Sequence, residues 1–99
     1  MNTIYRLQGM EFEWDEDKAS INIQKHGVTF EEAAEAFFDP FYQTGEASVD
    51  DGEERNFIIG YTFSQQLLLA VYTERGLRTR IISARAATRA ERKVYEEAN

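Results

Sequence analysis

Short turns divide the second half of the chain into four strand-like segments, and this division constrains the fold more than any other feature. The segments are residues 41–47, 57–63, 67–73 and 79–85, and the turns lie at 50–52, 64–66 and 75–76. The turn at 50–52 ends in Asp-Gly, a dipeptide typical of tight β-hairpins. Strands joined by such short turns pair with their chain neighbours, so the sequence predicts a small antiparallel β-sheet meander.

A strand and a helix precede these segments. Residues 12–14 alternate in polarity and indicate a short strand. Asp15 then suits an N-cap, and the first helix is expected to run to about His26, with Gly27 in the C′ position.

Two further helices begin at capping boxes, in which a threonine precedes a glutamate by three residues. One box spans residues 29–32 and opens a helix that the Asp-Pro pair at 39–40 is expected to end. The other spans residues 88–91 and opens a helix to about residue 98. The resulting order, β-α-α-β-β-β-β-α, predicts an α+β fold with two N-terminal helices and one C-terminal helix.

Composition narrows the possible sites and locations. The chain has 99 residues, no cysteine and one histidine, so a single domain without disulfides or a multi-histidine zinc site is expected. Carboxylate-only Mg²⁺ or Ca²⁺ sites stay open, but no EF-hand spacing occurs, and we expect neither a metal nor a cofactor. No apolar run approaches the ~18 residues of a membrane span, so a cytoplasmic protein without membrane contacts is expected.

Charge is distributed unevenly along the chain. Residues 1–54 carry three bases and fourteen acids, net −11, whereas residues 55–93 carry eight bases and two acids, net +6. Several arginines are concentrated in residues 75–85, and guanidinium groups match phosphate oxygens well. The pattern has two interpretations: a cationic site for an anion, or surface arginines paired with the chain's many carboxylates.

An ordered set of short motifs resembles a known family. The motifs are residues 12–15 (FEWD), 25–33 (KHGVTFEEA), 38–40 (FDP), 52–55 (GEER), 59–60 (IG), 72–76 (YTERG), 80–85 (RIISAR) and 87–92 (ATRAER). Together they are similar to the BrnT family, the toxin half of type II toxin–antitoxin pairs. The likeness covers about residues 10–97 and departs from the family in 41–49. It predicts one BrnT-like toxin domain over 10–99, with residues 1–9 as an N-terminal extension.

The resemblance implies a RelE-like ribonuclease fold and a metal-independent endoribonuclease that inhibits translation and growth. It also implies an RNA substrate and a cognate BrnA-like antitoxin that binds operator DNA, so that this chain contacts DNA only indirectly. Two alternatives stay open at this point: a non-catalytic acidic protein–protein interaction module, and a degenerate toxin.

The candidate catalytic residues combine this resemblance with residue chemistry: Lys25, His26, Arg75, Arg80 and Arg85. Metal-free cleavage needs a base for the 2′-hydroxyl, cations for the phosphate and a proton for the 5′-oxygen. Only His26 has an ordinary pKa suited to proton transfer near pH 7. In the alternative interpretation, His26 is a packed, hydrogen-bonded core or C-cap histidine on a helical stripe with Ala19 and Ile23, and Lys25 only complements the helix dipole.

The arginines carry alternatives of their own. Arg80 and Arg85 lie on opposite faces of one strand unless a bulge intervenes, and Arg80 could pair with an acid such as Glu54 or Glu74. The possible RNA-binding residues are Arg55, Arg89 and Tyr95. Tyr95 could instead be half-buried, and Trp14 is expected in the core.

Overall fold

The structure is a computed structural model that describes all 99 residues, arranged as one six-stranded sheet and three helices. The strands are β1 (Asn2–Leu7), β2 (Met10–Asp15), β3 (Gln43–Asp50), β4 (Glu53–Tyr61), β5 (Leu67–Arg75) and β6 (Arg78–Ala86). The helices are α1 (Glu16–His26), α2 (Phe30–Ala36) and α3 (Arg89–Glu97). None of these helices is long and apolar enough to cross a membrane.

The sheet has the strand order β1-β2-β6-β5-β4-β3, and it is mixed. Strands β3 to β6 pair consecutively and antiparallel, as the turns predict. The predicted antiparallel meander accounts for only part of the sheet, because β2 joins β6 in parallel and β1 extends the sheet further. Helices α1 and α2 connect β2 to β3 at the far edge of the sheet, and the meander from β3 to β6 then brings β6 beside β2. The sequence pattern predicts the individual strands but not the pairing of β6 with β2.

Strand β1 occupies residues to which the sequence analysis assigned no structure. It pairs with β2 along its whole length, from Asn2 opposite Asp15 to Leu7 opposite Met10. The connecting Gln8 and Gly9 both have positive φ, as a two-residue hairpin with the right twist requires. The Tyr5 ring lies 5.5 Å from that of Trp14. Residues 2–7 are therefore an edge strand of the sheet. Whether residues 1–9 lie outside the family domain stays a prediction.

The predicted helix boundaries are largely confirmed. The Asp15 side chain accepts the Lys18 N–H, and Gly27 adopts the left-handed conformation at φ 66°. Both threonine–glutamate capping boxes form. Helix α2 ends at Ala36, earlier than its Asp-Pro signal suggested, because the chain turns there and gives Asp39 a different role, described below.

The two faces of the sheet hold separate cores. Helices α1 and α2 cover the larger one, which includes Phe12, Trp14, Phe30 and Ile81, all at most 3% exposed. Helix α3 covers the smaller one through Tyr95. Trp14 is thus a core residue, as expected. The rest of the second face carries charged side chains and stays open to solvent.

Asn22 joins α1 to the edge of β6. Its side-chain Nδ2 donates to Ala84 O at 2.8 Å and to Val28 O at 2.9 Å, and its Oδ1 accepts the Ala84 N–H at 3.1 Å. Strand β2 pairs only with Thr79 and Arg80 of β6, so Ala84 has no strand partner on that side. The buried amide satisfies those backbone groups and holds the end of α1 against the sheet.

Deleting residues 1–9 should destabilise the protein. The deletion removes the partly buried Tyr5 and Leu7 from the core, at a cost of roughly 2 kcal/mol. Urea denaturation of the truncated and full-length chains measures this. Tyr5→Ala should reproduce much of the loss, whereas Ile4→Ala, on the exposed face, should not. Unchanged stability of the truncated chain would show that the extension is dispensable.

Replacing Asn22 should cost more than replacing a neighbour on the exposed side of the same helix. Asn22→Ala leaves two carbonyls and one N–H without partners in a buried position, and we expect a loss of about 3 kcal/mol. Gln24→Ala is the matched control and should change stability by less than about 0.5 kcal/mol. Equal denaturation midpoints for the two variants would contradict this role.

Candidate functional site

A β-bulge sets the facing of the arginines on β6. Val71 pairs with Ser83 and Tyr72 with Ile81, so Ile82 is an extra residue in β6. Ile81 and Ala84 consequently both point into the α1/α2 core although they are three residues apart. Arg80 and Arg85, which flank this segment, therefore lie on the same open face of the sheet. The sequence alone predicted opposite faces unless a bulge intervened, and this bulge is present.

These arginines nevertheless do not meet at one phosphate. Along β5, Arg85 pairs with Leu69 and Arg80 with Thr73, four residues further on. At about 3.3 Å per residue, Arg80 lies about 13 Å from Arg85 along the strand. Arg75 is two residues beyond Thr73, which places it about 20 Å from Arg85.

Three arginines are held by carboxylates within the open face. Arg80 Nη1 lies 2.6 Å from Glu13 Oε2, and both side chains are at most 15% exposed. Arg75 Nη2 lies 3.1 Å from Glu53 Oε2. Arg55 pairs with Asp50 at 3.3 Å. These contacts favour the interpretation in which surface arginines neutralise the chain's own acids.

The partner of Arg80 differs from both acids suggested by the sequence. It is Glu13, not Glu54 or Glu74, because β2 lies beside β6 with Glu13 in register with Arg80. Residues 67 positions apart meet only after the parallel pairing is formed, so no local pattern identifies them.

Arg85 forms a bidentate pair with the first turn of α3. Its Nη1 and Nη2 donate to Glu91 Oε1 and Oε2 at 2.7 and 2.8 Å. Glu91 also accepts the Thr88 N–H in the capping box. Hydrogen bonds from Arg85, and then from Thr88, lower the pKa of Glu91 to about 2 although burial opposes the shift. The same pair raises the pKa of Arg85. Arg85 thus fixes the start of α3.

His26 is free of such contacts and faces an open cavity. It ends α1 and is exposed, so the interpretation as a packed core histidine is wrong. The cavity, of about 380 Å³, lies between the end of α1, the β4–β5 turn and α3. Arg92 of α3 lines it together with His26, and Gln65 and Gln66 form a polar wall. A proton-transfer group and a guanidinium therefore share one cleft.

Lys25 lies beside this cleft. With His26, Ser83 and Ile82 it lines a smaller cavity of about 160 Å³ between α1 and β6. Lys25 is exposed and makes no ion pair, so its charge is available to a ligand.

Most charged residues of helix α3 oppose its dipole, the exception being Glu91 in the first turn. Arg89, Arg92 and Lys93 lie in its first half, and Glu96 and Glu97 in its last turn. Cations are disfavoured at a helix N-terminus and anions at a C-terminus. This reversed order was visible in the sequence and would have indicated Arg92, which the sequence analysis missed. Arg89 is exposed and makes no ion pair, and Arg92 Nη1 donates to the Tyr61 hydroxyl at 3.0 Å.

Tyr95 is placed away from this cleft, in the smaller core. Its hydroxyl donates to Asp39 Oδ2 at 2.6 Å, and its side chain is buried. We therefore leave Tyr95 out of the RNA-contacting set. Burial tends to raise the pKa of Asp39, but hydrogen bonds from Tyr95 and from the Tyr61 and Phe41 N–H groups outweigh it and lower that pKa. Burial and the Asp39 hydrogen bond raise the pKa of Tyr95.

Asp39 links three segments of the fold, whereas the sequence analysis interpreted it only as part of the signal that ends α2. Its carboxylate accepts from the chain after α2, from the end of β4 and from α3. No group of three or more His, Asp or Glu side chains is arranged to hold a metal ion.

Comparison with known families agrees with this architecture. Residues 14–91 match the model of the family described as the ribonuclease toxin, BrnT, of type II toxin–antitoxin systems. The chain belongs to the BrnT family. Its fold is similar to that of the Brucella abortus ribonuclease toxin BrnT, with a TM-score of 0.61 and 24% identity over 77% of this chain and 94% of that one. No curated protein matches the chain. Family membership supports the toxin role and the name ribonuclease, while the catalytic residues rest on the geometry above.

The Arg85–Glu91 pair should make stability depend on pH. The folded-state pKa of Glu91, about 2, is below its usual 4.5. Its stabilisation is therefore complete above about pH 4.5 and is lost as the pH falls toward 2. Glu91→Gln keeps a capping side chain but removes the charge, and at pH 7 it should cost about 2 kcal/mol, less than the full shift because Arg85 is partly exposed.

Urea denaturation at pH 7 and pH 3 tests this, with Glu32→Gln as the matched control. Glu32 fills the same place in the capping box of α2 but has no arginine partner. The difference between wild type and Glu91→Gln should narrow at pH 3, and Glu32→Gln should show no such change. A loss that is independent of pH would contradict the charge-based account.

Proposed function

We propose that the protein is a toxin that cleaves RNA without a metal ion, at the cleft shared by His26 and Arg92. The observation that carries the proposal is that the only histidine of the chain and an arginine line one open cavity. Lys25 lines the adjoining smaller cavity, Arg89 lies one helical turn before Arg92, and both are exposed cations without an ion pair. In contrast, Arg55, Arg75 and Arg80 are distant from it or held by carboxylates.

Each group has a defined role. His26 accepts the proton of the 2′-hydroxyl as the 2′-oxygen attacks phosphorus and the bond to the 5′-oxygen breaks. Arg92 binds the non-bridging phosphate oxygens, whose charge grows in the transition state. Water protonates the departing 5′-oxygen. Lys25 and Arg89 bind neighbouring phosphates, and Arg85 positions α3 through Glu91. The products carry a 2′,3′-cyclic phosphate and a 5′-hydroxyl.

Regulation completes the proposal. Cleavage would inhibit translation and growth, and a cognate BrnA-like antitoxin would neutralise the chain and mediate any contact with DNA. The RelE-like fold implied by the resemblance remains a prediction. One observation favours a second candidate function, the interaction module. Several arginines form ion pairs with glutamates of the same chain, so the open face has little net positive charge to attract RNA.

Exchanging His26 should affect cleavage far more than stability. His26→Gln should lower the single-turnover rate on a defined RNA by 10²-fold or more, and Arg92→Gln by about 10²-fold. Arg6→Gln, at the opposite end of the sheet, is the control. Because Arg80 and Glu13 neutralise each other, the double change Arg80→Met with Glu13→Leu should keep both fold and activity.

End-group analysis of the fragments, with and without EDTA, decides the mechanism. Fragments with 5′-phosphates, or activity that requires Mg²⁺, would exclude attack by the 2′-oxygen. A fully active His26→Gln variant would move the catalytic site elsewhere. A wild-type chain that binds its partner but leaves RNA intact would favour the interaction module.

A further inference from the structure

A third cavity, of about 420 Å³, opens at the far end of α3 and is lined mainly by aromatic side chains. Phe41 and Phe63 at its mouth are 59% and 52% exposed, and Tyr61 and Tyr95 lie deeper. We call this the aromatic groove. Two exposed phenylalanines at one concave site are more than the scattered apolar residues normal on a surface, and such patches mark interaction sites.

Acidic residues lie on two sides of the aromatic groove. On one side, Glu35 Oε1 accepts the Phe63 N–H at 3.0 Å. On the other side is the last turn of α3, whose Glu96 and Glu97 are exposed. Asn99, which follows that turn, donates to Phe41 O at 3.4 Å, and this contact places the end of α3 beside the groove. No lysine or arginine lines the groove.

We propose that the aromatic groove binds a segment of a partner protein that presents apolar side chains flanked by lysine or arginine. The phenylalanines would pack against the apolar side chains, and the carboxylates would attract the flanking cations. The aromatic rings alone would also suit a stacked nucleobase, but the acidic rim repels the phosphates of RNA. Charge therefore selects a basic protein segment.

A segment bound in the aromatic groove would also affect the proposed cleft, because the two cavities share a lining residue. Gln65 lines both cavities. Tyr61 lines the groove, and its hydroxyl accepts a hydrogen bond from Arg92 at 3.0 Å. A segment that fills the groove thus abuts the side chains beside His26 and can exclude RNA. This assignment of the partner as the neutralising antitoxin rests on the function proposed above.

The test uses the cognate antitoxin that membership of a type II toxin–antitoxin family implies and, as a separate probe, a 12-nucleotide oligouridylate. Phe41→Ser and Phe63→Ser should each weaken binding of the protein at least tenfold in titration calorimetry. Leu77→Ser and Val49→Ser are the controls, since these residues are 99% and 70% exposed outside the groove. Oligouridylate binding and the RNA cleavage rate should stay unchanged in all four variants.

The charge of the rim is tested separately. Glu96→Lys with Glu97→Lys should slow association at low salt at least fivefold, and the helix dipole favours this change, so folding should not suffer. Glu46→Lys with Asp51→Lys, toward the turn of the β3–β4 hairpin and away from its groove end, is the matched control and should have a smaller effect.

The outcomes separate the groove from the proposed function. If the partner fails to bind the wild type, or binds the phenylalanine variants as tightly as the controls, the proposal is wrong. If those variants instead lose oligouridylate affinity, the groove is a base-stacking site. If the wild-type chain alone cleaves no RNA but the phenylalanine variants lose affinity for the partner protein, the ribonuclease proposal is wrong and the docking proposal is supported.

Discussion

The short overlap between β2 and β6 is the constraint on which the rest of the structure depends. Only Thr79 and Arg80 of β6 have a strand partner on that side, so the backbone of the following residues must be satisfied in another way. Asn22 does this at Ala84, and the cost of leaving such groups buried and unpaired is about 1–3 kcal/mol each. The amide therefore holds the C-terminal half of α1 against β6. Because β6 leads directly into α3, both helix ends that form the proposed cleft meet at the same end of the sheet.

Ion pairing separates the lysine and arginine side chains into two groups. Arg80 and Glu13 are both largely buried, and removing one partner of such a pair typically costs 3–5 kcal/mol through the charge left behind. A phosphate that binds Arg80 would have to displace Glu13, and its binding would have to offset the cost of leaving Glu13 unpaired. Lys25 and Arg89 are exposed and have no such competitor. Thus the residues most conspicuous in the sequence support the sheet, whereas less conspicuous ones remain available to an anion.

Local signals in the sequence predicted local structure well. Asp15, Gly27 and the two threonine caps act within one helical turn, so their positions along the chain were sufficient to predict the helix ends. The hairpin turns belong to the same class. The parallel β2–β6 pairing, the Arg80–Glu13 contact and the bulge at Ile82 depend on which distant segments become neighbours. Sequence spacing contains no information on these, and the bulge reverses the expected facing of Arg85.

The charge order of α3 links the two proposed sites. Each cation in the first turn, and each glutamate in the last, opposes the helix dipole at a cost of about 0.3–1 kcal/mol. Exchanging the two groups would remove that cost without changing the Tyr95 contact that holds the helix to the sheet. The actual order instead places Arg92 in the cleft with His26, whereas the end of the helix that carries Glu96 and Glu97 lies near the aromatic groove. A single short helix then presents a surface for phosphate at one end and a surface for a basic protein at the other. The two proposals together predict competition between RNA and the partner protein, because the two proposed sites are adjoining cavities at opposite ends of the helix.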